Sequence, residues 1–169
     1  MKKLLAILLM LMLAAMPAMA EEQGLSFTAL DMEGNEVTEA IFADYDVTMV
    51  NIWATWCGYC IEEMPGFAAL KDRLPENANL ITICEDASYE PELTAEILES
   101  VGANFTTIQA NEEIYTKILS GVYGFPTTIF VDETGALIGQ PIVGVPSMNL
   151  EEAMNAYYQA IMLRLNIIE

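Results

Sequence analysis

The sequence of 169 residues contains no histidine. Histidine is the usual general base of serine and cysteine hydrolases and a very common ligand of catalytic metals. This chain therefore has no Ser-His or Cys-His triad and no histidine-ligated metal site. We expect it to work without a metal and without an organic cofactor.

Positive charge is also scarce. Six lysines and arginines stand against 25 aspartates and glutamates, which gives a formal net charge of −19. So acidic a chain repels nucleic acid and anionic lipid surfaces, and neither is expected as a partner. Two interpretations stay open. The charge forms a self-repelling surface that keeps the protein soluble, or it steers a basic partner toward the protein.

The first 20 residues predict a secretory signal peptide. Two lysines precede an apolar run over residues 4–16, and Ala-Met-Ala occupies residues 18–20. A basic start, a short apolar centre and an Ala-x-Ala ending are typical of a cleaved leader. Cleavage after Ala20 would leave a domain of residues 21–169 in the periplasm or outside the cell, and loss of the two lysines would take the net charge from −19 to −21. The alternative is an uncleaved membrane anchor, for which the run is short.

Cysteine is limited to three residues. Three are too few for a disulfide scaffold, and a bond between Cys57 and Cys60 would close only a very short loop. The pair follows an apolar run over residues 47–53 and opens an amphipathic stretch. A strand that leads into a helix, with C-x-x-C at the junction, is typical of a thiol–disulfide redox site. A zinc half-site or a static disulfide is the structural alternative.

Apolar runs separated by turn residues predict a single α/β domain. The expected order is two short strands, then β-α-β-α-β-α, then a hairpin and a last helix. Parallel crossovers combined with hairpins imply a mixed central sheet with helices on both faces. The predicted strands cover residues 25–30, 36–38, 47–53, 79–84, 105–109, 127–131 and 136–143. The predicted helices cover residues 58–74, 88–101, 111–121 and a stretch from 149 onward, with Ser88, Asn111 and Asn149 as N-caps.

Four motifs along the chain occur together in one group of proteins. They are Trp-Cys-Gly-Tyr-Cys at residues 56–60, Glu-Met-Pro at 63–65, Tyr-Gly-Phe-Pro-Thr-Thr at 123–128 and Val-Asp-Glu-Thr-Gly at 131–135. In these the chain resembles the thioredoxin superfamily, and more narrowly the exported TlpA/ResA-like thiol–disulfide oxidoreductases. The resemblance covers nearly all of the mature chain. It implies a thioredoxin-like fold with an N-terminal β-hairpin and an αβ insertion, about residues 85–105, between the C-x-x-C helix and a cis-proline.

The C-x-x-C region suggests three chemical roles. Cys57 precedes the predicted helix, where free N–H groups and the helix dipole stabilise a thiolate, so we assign it as the attacking thiol. Cys60 lies one turn into the helix and is the resolving thiol, which makes Cys57–Cys60 the expected redox-active disulfide. Glu63 shares a helix face with Cys60 and can take or hold its proton, as the resemblance also suggests. The alternative for Glu63 is a solvated surface charge.

Four further residues are expected to contact the substrate. Trp56 would form a wall of the site. The resemblance implies that Pro126 is cis, which would turn the backbone of Phe125 toward the cysteines, where it offers hydrogen bonds to an extended substrate strand. Tyr59 stands where the family usually has proline. Its backbone N–H can stabilise the Cys57 thiolate and make the redox couple more oxidising; the alternative is an exposed surface aromatic.

Two other positions bear on the site. Asn51 lies six residues before Cys57, where thioredoxin itself has a buried aspartate, so no carboxylate can act from that position. Cys84 ends the strand predicted beside residues 47–53, and the shared edge of parallel strands could bring it near the site. A lone cysteine in an apolar strand is more often a buried filler of the core, and we expect that role here.

These features predict an exported disulfide reductase. The expected substrates are disulfide-containing exported proteins, with apocytochrome c among the candidates, because the resemblance implies cytochrome c maturation or general disulfide repair. It also implies recycling by a membrane thiol reductant, and we expect a monomer. An exported disulfide oxidase or isomerase is the nearest alternative. A copper-binding or redox-inert interaction module is the alternative of another class.

Overall fold

The computed structural model describes residues 24–168, so the predicted leader at residues 1–20 lies outside the described residues. The strands are β1 (Thr28–Asp31), β2 (Glu36–Thr38), β3 (Val47–Trp53), β4 (Ala78–Cys84), β5 (Thr107–Gln109), β6 (Thr127–Val131) and β7 (Ile142–Val143). The α-helices are α1 (Gly58–Lys71), α2 (Pro91–Ser100), α3 (Glu112–Lys117) and α4 (Leu150–Ile168). Short 3-10 helices cover Glu39–Phe42 and Leu119–Gly121.

The strands form one mixed sheet in the order β2-β1-β5-β4-β3-β6-β7. Strands β5, β4 and β3 are parallel, whereas β1 with β2, β1 with β5, β3 with β6 and β6 with β7 pair in antiparallel fashion. The register of the two central strands ends with Trp53 opposite Cys84. The mixed sheet and the N-terminal hairpin are confirmed. The carboxyl ends of the parallel strands share one edge of the sheet, and α1 begins there.

Helices cover both faces of the sheet, as predicted. Side chains alternate along β3, so Met49 and Val50 belong to two different apolar cores. The core of Met49 is completed by α1, α2 and α4, and the core of Val50 by α3 and both 3-10 helices. Every residue of β3 is buried, which explains its nearly continuous apolar sequence. In the part of the chain that the structure describes, no helix is both long and apolar enough to cross a membrane.

Helices α1 and α4 approach each other closely at Gly66. A Cβ atom at this position would lie 2.6 Å from Cγ of Met154, so a side chain larger than hydrogen would force the Met154 and Leu150 side chains of α4 to shift. Phe67 and Tyr157 also meet in this interface, with their rings edge to face and their centroids 5.6 Å apart. The close approach brings side chains of α4 against the helix that carries the C-x-x-C motif.

The predicted αβ insertion is present as α2, which follows β4 and leads into β5. The prediction of Ser88 as the N-cap of this helix is wrong. Its hydroxyl donates instead to the carbonyl of Ala110 at 3.0 Å, and α2 begins at Pro91 after Glu90. Proline lacks an N–H and has a helical φ, so it opens the helix without needing that cap. The caps predicted at Asn111 and Asn149 are confirmed by hydrogen bonds of 2.9 and 3.1 Å to the third residue after each.

The last hairpin is shorter than predicted. The strand expected over residues 136–143 is reduced to Ile142–Val143, with one isolated bridge nearer the turn. Gly139, at φ +72°, interrupts the extended backbone between them. Arg164 of α4 packs against this segment and donates to two of its carbonyl groups, at 2.9 and 2.8 Å. Carbonyls that would have paired with another strand are thus satisfied by a side chain.

Candidate active site

Cys57 and Cys60 lie where β3 gives way to α1 and are joined by a disulfide with an S–S distance of 2.05 Å. Cys57 is the N-cap of α1, and its Sγ accepts a hydrogen bond from the Cys60 N–H at 3.3 Å. Cys57 is 7% exposed, whereas Cys60 is completely buried. Cys57 is therefore the cysteine of the pair that another molecule can reach.

The donor to Cys57 Sγ is not the one that we expected. We assigned this hydrogen bond to the backbone of Tyr59, but the N–H that makes it belongs to Cys60. A capping side chain bonds the second or third residue of the helix, and Cys60 is the third. The Tyr59 side chain is more than half exposed. An effect of Tyr59 on the reduced thiolate stays a prediction.

An exposed aromatic edge adjoins the disulfide. Trp56 is 69% exposed, and its ring meets that of Phe125 at a centroid distance of 5.6 Å. The peptide bond between Phe125 and Pro126 is cis, which confirms that prediction. The ring contact ties the segment before β6 to the residue that precedes Cys57. Three of the four expected substrate-contacting residues therefore lie together, and the fourth, Tyr59, extends from the first turn of α1.

Glu63 is buried beneath the cysteine pair, at 4% exposure, so the alternative of a solvated surface charge is wrong. Its Oε2 accepts a hydrogen bond of 3.0 Å from the Tyr157 hydroxyl, and its Oε1 accepts one of 3.2 Å from Nδ2 of Asn51. Burial raises the pKa of Glu63 to about 7, and the two hydrogen bonds partly oppose that rise. A carboxyl with such a pKa can bind and release a proton near neutral pH.

Asn51 links Glu63 to the sheet. Its Nδ2 also donates to Oγ1 of Thr128 on β6, at 3.0 Å, while its Oδ1 is buried with no hydrogen-bond partner among the described residues. A buried amide with an unused acceptor is uncommon and costs free energy. Asn51 therefore contributes an amide to this site, and the carboxyl beside it comes from Glu63 on α1.

A small cavity reaches Glu63 from the protein surface. It has a volume of about 40 Å³ and lies between Tyr59, Glu62 and Glu63 of α1 and the segment from Val145 to Ala153. A cavity of this size has room for one or two water molecules. Glu63 can therefore exchange protons with solvent although its side chain is buried.

Asp86 fixes the segment between β3 and Cys57. Its carboxylate accepts hydrogen bonds from the backbone N–H of Thr55, at 2.9 Å, and from the Thr55 hydroxyl. The Cys84 thiol donates to the same carboxylate at 3.3 Å. Cys84 is completely buried, as predicted for a core filler, and burial raises the pKa of its thiol to about 12. Cys84 thus supports the loop and is not an accessible nucleophile.

Comparison with known proteins agrees with this geometry. The profile of the AhpC/TSA family matches residues 20–140, well over half of the chain. The chain belongs to the AhpC/TSA family. The chain is also similar to the thiol–disulfide oxidoreductase ResA of Halalkalibacterium halodurans, with 28% identity over 138 residues that cover 81% of this chain and 76% of ResA.

Other relatives of this AhpC/TSA-family chain are thiol:disulfide interchange proteins. HelX of Rhodobacter capsulatus is 27% identical over 101 residues, which cover 60% of this chain and 54% of HelX. DsbE of Haemophilus influenzae is 27% identical over 105 residues, which cover 62% of this chain and 55% of DsbE. The chain thus matches about half the length of these two relatives. The resemblance to ResA-like proteins is confirmed, and with its Cys57–Cys60 pair the protein is a thiol–disulfide oxidoreductase.

Solved structures confirm the thioredoxin fold of this AhpC/TSA-family chain. A thioredoxin-family thiol:disulfide interchange protein from Chlorobium tepidum superposes with a TM-score of 0.68 at 19% identity, covering 88% of this chain and 99% of that chain. StoA from Bacillus subtilis superposes with a TM-score of 0.59 at 18% identity, covering 82% and 98%. At these identities the likeness concerns the fold alone.

Three residues that contribute to this site were not predicted from the sequence. Tyr157 and Thr128 bind Glu63 or its partner Asn51, and Asp86 holds the loop before Cys57. Tyr157 did stand out in one respect, because a hydroxyl on an otherwise apolar helix face needs a polar partner when it is buried. Thr128 and Asp86 carried no comparable signal in the sequence.

Proposed function

We propose that the protein reduces disulfide bonds of exported proteins outside the cytoplasm. In the dithiol form, the Cys57 thiolate attacks one sulfur of a client disulfide, and the other client sulfur leaves as a thiolate. The Cys60 thiolate then attacks the sulfur of Cys57. The Cys57–Cys60 disulfide forms, the bond between Cys57 and the client breaks, and the second client sulfur leaves with its electron pair. The client gains two electrons and two protons, and the protein loses them.

The position of the two sulfur atoms carries this proposal. Cys57 caps a helix and retains 7% exposure, whereas Cys60 is fully buried one turn below. The positive end of the helix dipole favours a thiolate at Cys57, and access favours its attack on another protein. Cys60 can reach only the sulfur of Cys57, which is what resolution of a mixed disulfide requires.

Glu63 is the proposed proton acceptor for Cys60. The two residues are three apart on α1 and therefore neighbours on one helix face. Because burial raises the pKa of Glu63 to about 7, the carboxylate is basic enough to take the proton of the resolving thiol. The acid that results can pass the proton to the departing client thiolate.

The aromatic edge is the proposed contact surface for the client. Trp56 and Phe125 present apolar rings beside Cys57, and Tyr59 adds a third exposed ring in the first turn of α1. An extended client strand that lies along Phe125 and Pro126 would bring its disulfide to Cys57. Clients would be disulfide-containing exported proteins, apocytochrome c among them.

Export and recycling belong to the same proposal. The leader-like residues 1–20 support secretion, followed by cleavage after Ala20, so the mature protein would act in the periplasm or outside the cell. Disulfides persist there, and the oxidised protein would need a membrane thiol reductant to regain its dithiol. We propose that it acts as a monomer.

The midpoint potential of the Cys57–Cys60 couple tests the direction of electron flow. We expect a value near about −270 mV, as in thioredoxin, because the protein is proposed to give electrons to its clients. The potential can be measured by equilibrating the protein with redox buffers and following tryptophan fluorescence, since Trp56 adjoins the reacting sulfur. A value near about −120 mV would contradict the reductase and support an oxidase.

A disulfide oxidase or isomerase is the second candidate, and Tyr59 favours it. Tyrosine in place of the family's usual proline keeps a backbone N–H in the first turn of α1. If that N–H stabilises the reduced thiolate, Tyr59→Pro will raise the pKa of Cys57 and lower the midpoint potential. If both stay unchanged, the oxidase loses its support. Within residues 24–168 no group of three or more Cys, Asp or Glu side chains is placed to hold a metal, and copper titration of the reduced protein tests whether the two thiols alone bind it.

The charge of the protein predicts which clients it reduces fastest. All four cationic side chains within the described residues already contact a group of the chain, although Arg73 and Lys117 are exposed. Their partners are Leu80 for Lys71, Tyr158 for Arg73, Glu113 for Lys117 and Phe130 for Arg164. At low salt we expect a basic disulfide peptide to be reduced at least about ten times faster than an acidic one, because the acidic surface attracts it. Stopped-flow fluorescence measures both rates.

Salt provides the control for this prediction. At an ionic strength of about 1 M the Debye length falls to about 3 Å, and the two peptides should then react at similar rates. A basic peptide whose rate does not change with salt would show that the negative charge has no part in client encounter.

A further inference from the structure

The partners of Glu63 share one property: each is neutral, and each can reverse the direction of its hydrogen bond. The Tyr157 hydroxyl can donate or accept, and so can the hydroxyl of Thr128, which bonds Asn51 and not Glu63. The Asn51 side chain donates through Nδ2 and accepts through Oδ1. No lysine or arginine of the described residues forms an ion pair with Glu63.

The hydrogen-bond partners of Glu63 differ from those of a buried carboxylate that serves only to stabilise a fold. A buried carboxylate kept only for stability needs a cation or several fixed donors, because an unpaired buried charge is costly. Around Glu63, the ionised form accepts from Tyr157 and Asn51. The neutral form can instead donate to the Tyr157 oxygen. It can also donate to Oδ1 of Asn51 once the amide has turned by about 180°.

The unused acceptor of Asn51 fits such a turn. Among the described residues Oδ1 is buried without a hydrogen-bond partner, while Nδ2 faces both Glu63 and Thr128. After the turn, Oδ1 would face these two groups, and a protonated Glu63 and the Thr128 hydroxyl could both donate to it. The amide can therefore follow the protonation state of the carboxyl without any movement of β3.

We propose that Tyr157 and Asn51 are positioning residues that hold Glu63 in both its ionised and its neutral form. The inference rests on the proposed function, in which Glu63 takes the proton of Cys60 and returns it to the client thiolate. Neither residue touches the reacting sulfur atoms in this scheme. Their effect is exerted on the proton affinity and the orientation of the Glu63 carboxyl.

The other groups near Glu63 do not set the proton affinity and orientation of its carboxyl in the same way. On α1 the titratable neighbours are Cys60, exposed Glu62 and exposed Tyr59. The segment from Val145 to Ala153 contributes Ser147 and apolar side chains to the cavity, and β3 and β6 contribute the neutral Asn51 and Thr128. On α4, burial raises the pKa of Tyr157 above its usual range, so its hydroxyl keeps its proton and remains a donor.

The variant Tyr157→Phe tests the proposal. It removes only the hydroxyl and keeps the ring that packs on Phe67. Loss of a hydrogen bond to the carboxylate should raise the pKa of Glu63 by about one unit or more. The pKa can be read in the oxidised protein from the ¹³C resonance of the Glu63 carboxyl, assigned by its loss in Glu63→Gln. This measurement needs no activity.

The kinetic readout should move together with the spectroscopic one. Resolution needs the Glu63 carboxylate, so the acid limb of the pH–rate profile should move to higher pH by the same amount. If the pKa of Glu63 rises by about one, the resolution rate at neutral pH should fall by up to about tenfold. Tyr158→Phe is the matched control, because the neighbouring phenol packs under Arg73 and away from Glu63. It should leave both readouts unchanged.

The possible outcomes test the positioning role of Tyr157 and Asn51 separately from the proposed function. An unchanged Glu63 pKa in Tyr157→Phe would overturn the positioning role, and so would a raised pKa with an unchanged rate profile. Asn51→Leu provides a second test if Tyr157→Phe does not fold, since loss of the amide donor should also raise the Glu63 pKa. Failure of the wild-type dithiol to reduce any disulfide peptide would refute the proposed function, whatever the carboxyl resonance shows.

Discussion

Replacing Cys57 with serine should abolish disulfide reduction, leaving only the rate of the reaction without protein. A serine hydroxyl stays protonated near neutral pH and forms no mixed disulfide, whereas the thiolate at the start of α1 does. Replacing Cys60 with serine should leave the first attack intact and stop the second. A client with one disulfide should then remain bound to Cys57. Single-turnover reduction and mass spectrometry of the trapped adduct measure the two effects.

Cys84→Ala is the matched control for both cysteine variants. Cys84 is fully buried behind the loop, so its loss should leave most of the activity intact. If Cys57→Ser still forms an adduct while Cys60→Ser does not, the order of attack is the reverse of our assignment.

The variant Glu63→Gln should be more stable than the wild type at alkaline pH although it is less active. Burial raises the pKa of Glu63 from 4.5 to about 7, so the folded state binds a proton that the unfolded state releases. The stability due to this proton is complete below about pH 4.5 and is lost as the pH rises through about 7. Above about pH 7 the free energy of unfolding of the wild type is therefore lower by about 3 kcal/mol. Glutamine never ionises, so the Glu63→Gln variant does not lose this stability.

Urea unfolding of the oxidised proteins checks this expectation. The advantage of Glu63→Gln should grow by about 2 kcal/mol between about pH 5.5 and about pH 9. Glu62→Gln, one residue away and exposed, removes the same formal charge and should show no such growth. Equal stability curves for the two variants would mean that Glu63 does not ionise in a buried site. The expected result would show that the carboxyl is retained at the expense of stability, as is common for functional groups.

The sequence was sufficient where local pattern decides structure. Strand β3 was predicted with both boundaries, because seven consecutive buried residues leave a recognisable apolar run. The C-x-x-C motif, the neighbouring Glu63 and the cis-proline segment were identified from motifs in their correct order. Strand β7 was predicted too long, because an alternating pattern does not reveal that Gly139 will break the extended backbone.

What the sequence could not supply was contact between distant segments. The burial of Glu63 depends on α4, whose Tyr157 lies 94 residues further along the chain. Helix periodicity placed Tyr157 on an apolar face but could not say which polar group that face would meet. The same holds for Asp86, which binds Thr55 from 31 residues away, across the edge where β3 and β4 end.

The burial of Cys84 has a consequence for the fidelity of electron transfer. A third free thiol one strand away from a reactive disulfide would compete for it and could divert electrons into a dead-end pairing. Cys84 is enclosed, and burial raises the pKa of its thiol to about 12, so that exchange is closed to it while the protein is folded. A thiol reagent should therefore modify Cys84 only after unfolding, which makes Cys84 an internal gauge of whether the fold is intact.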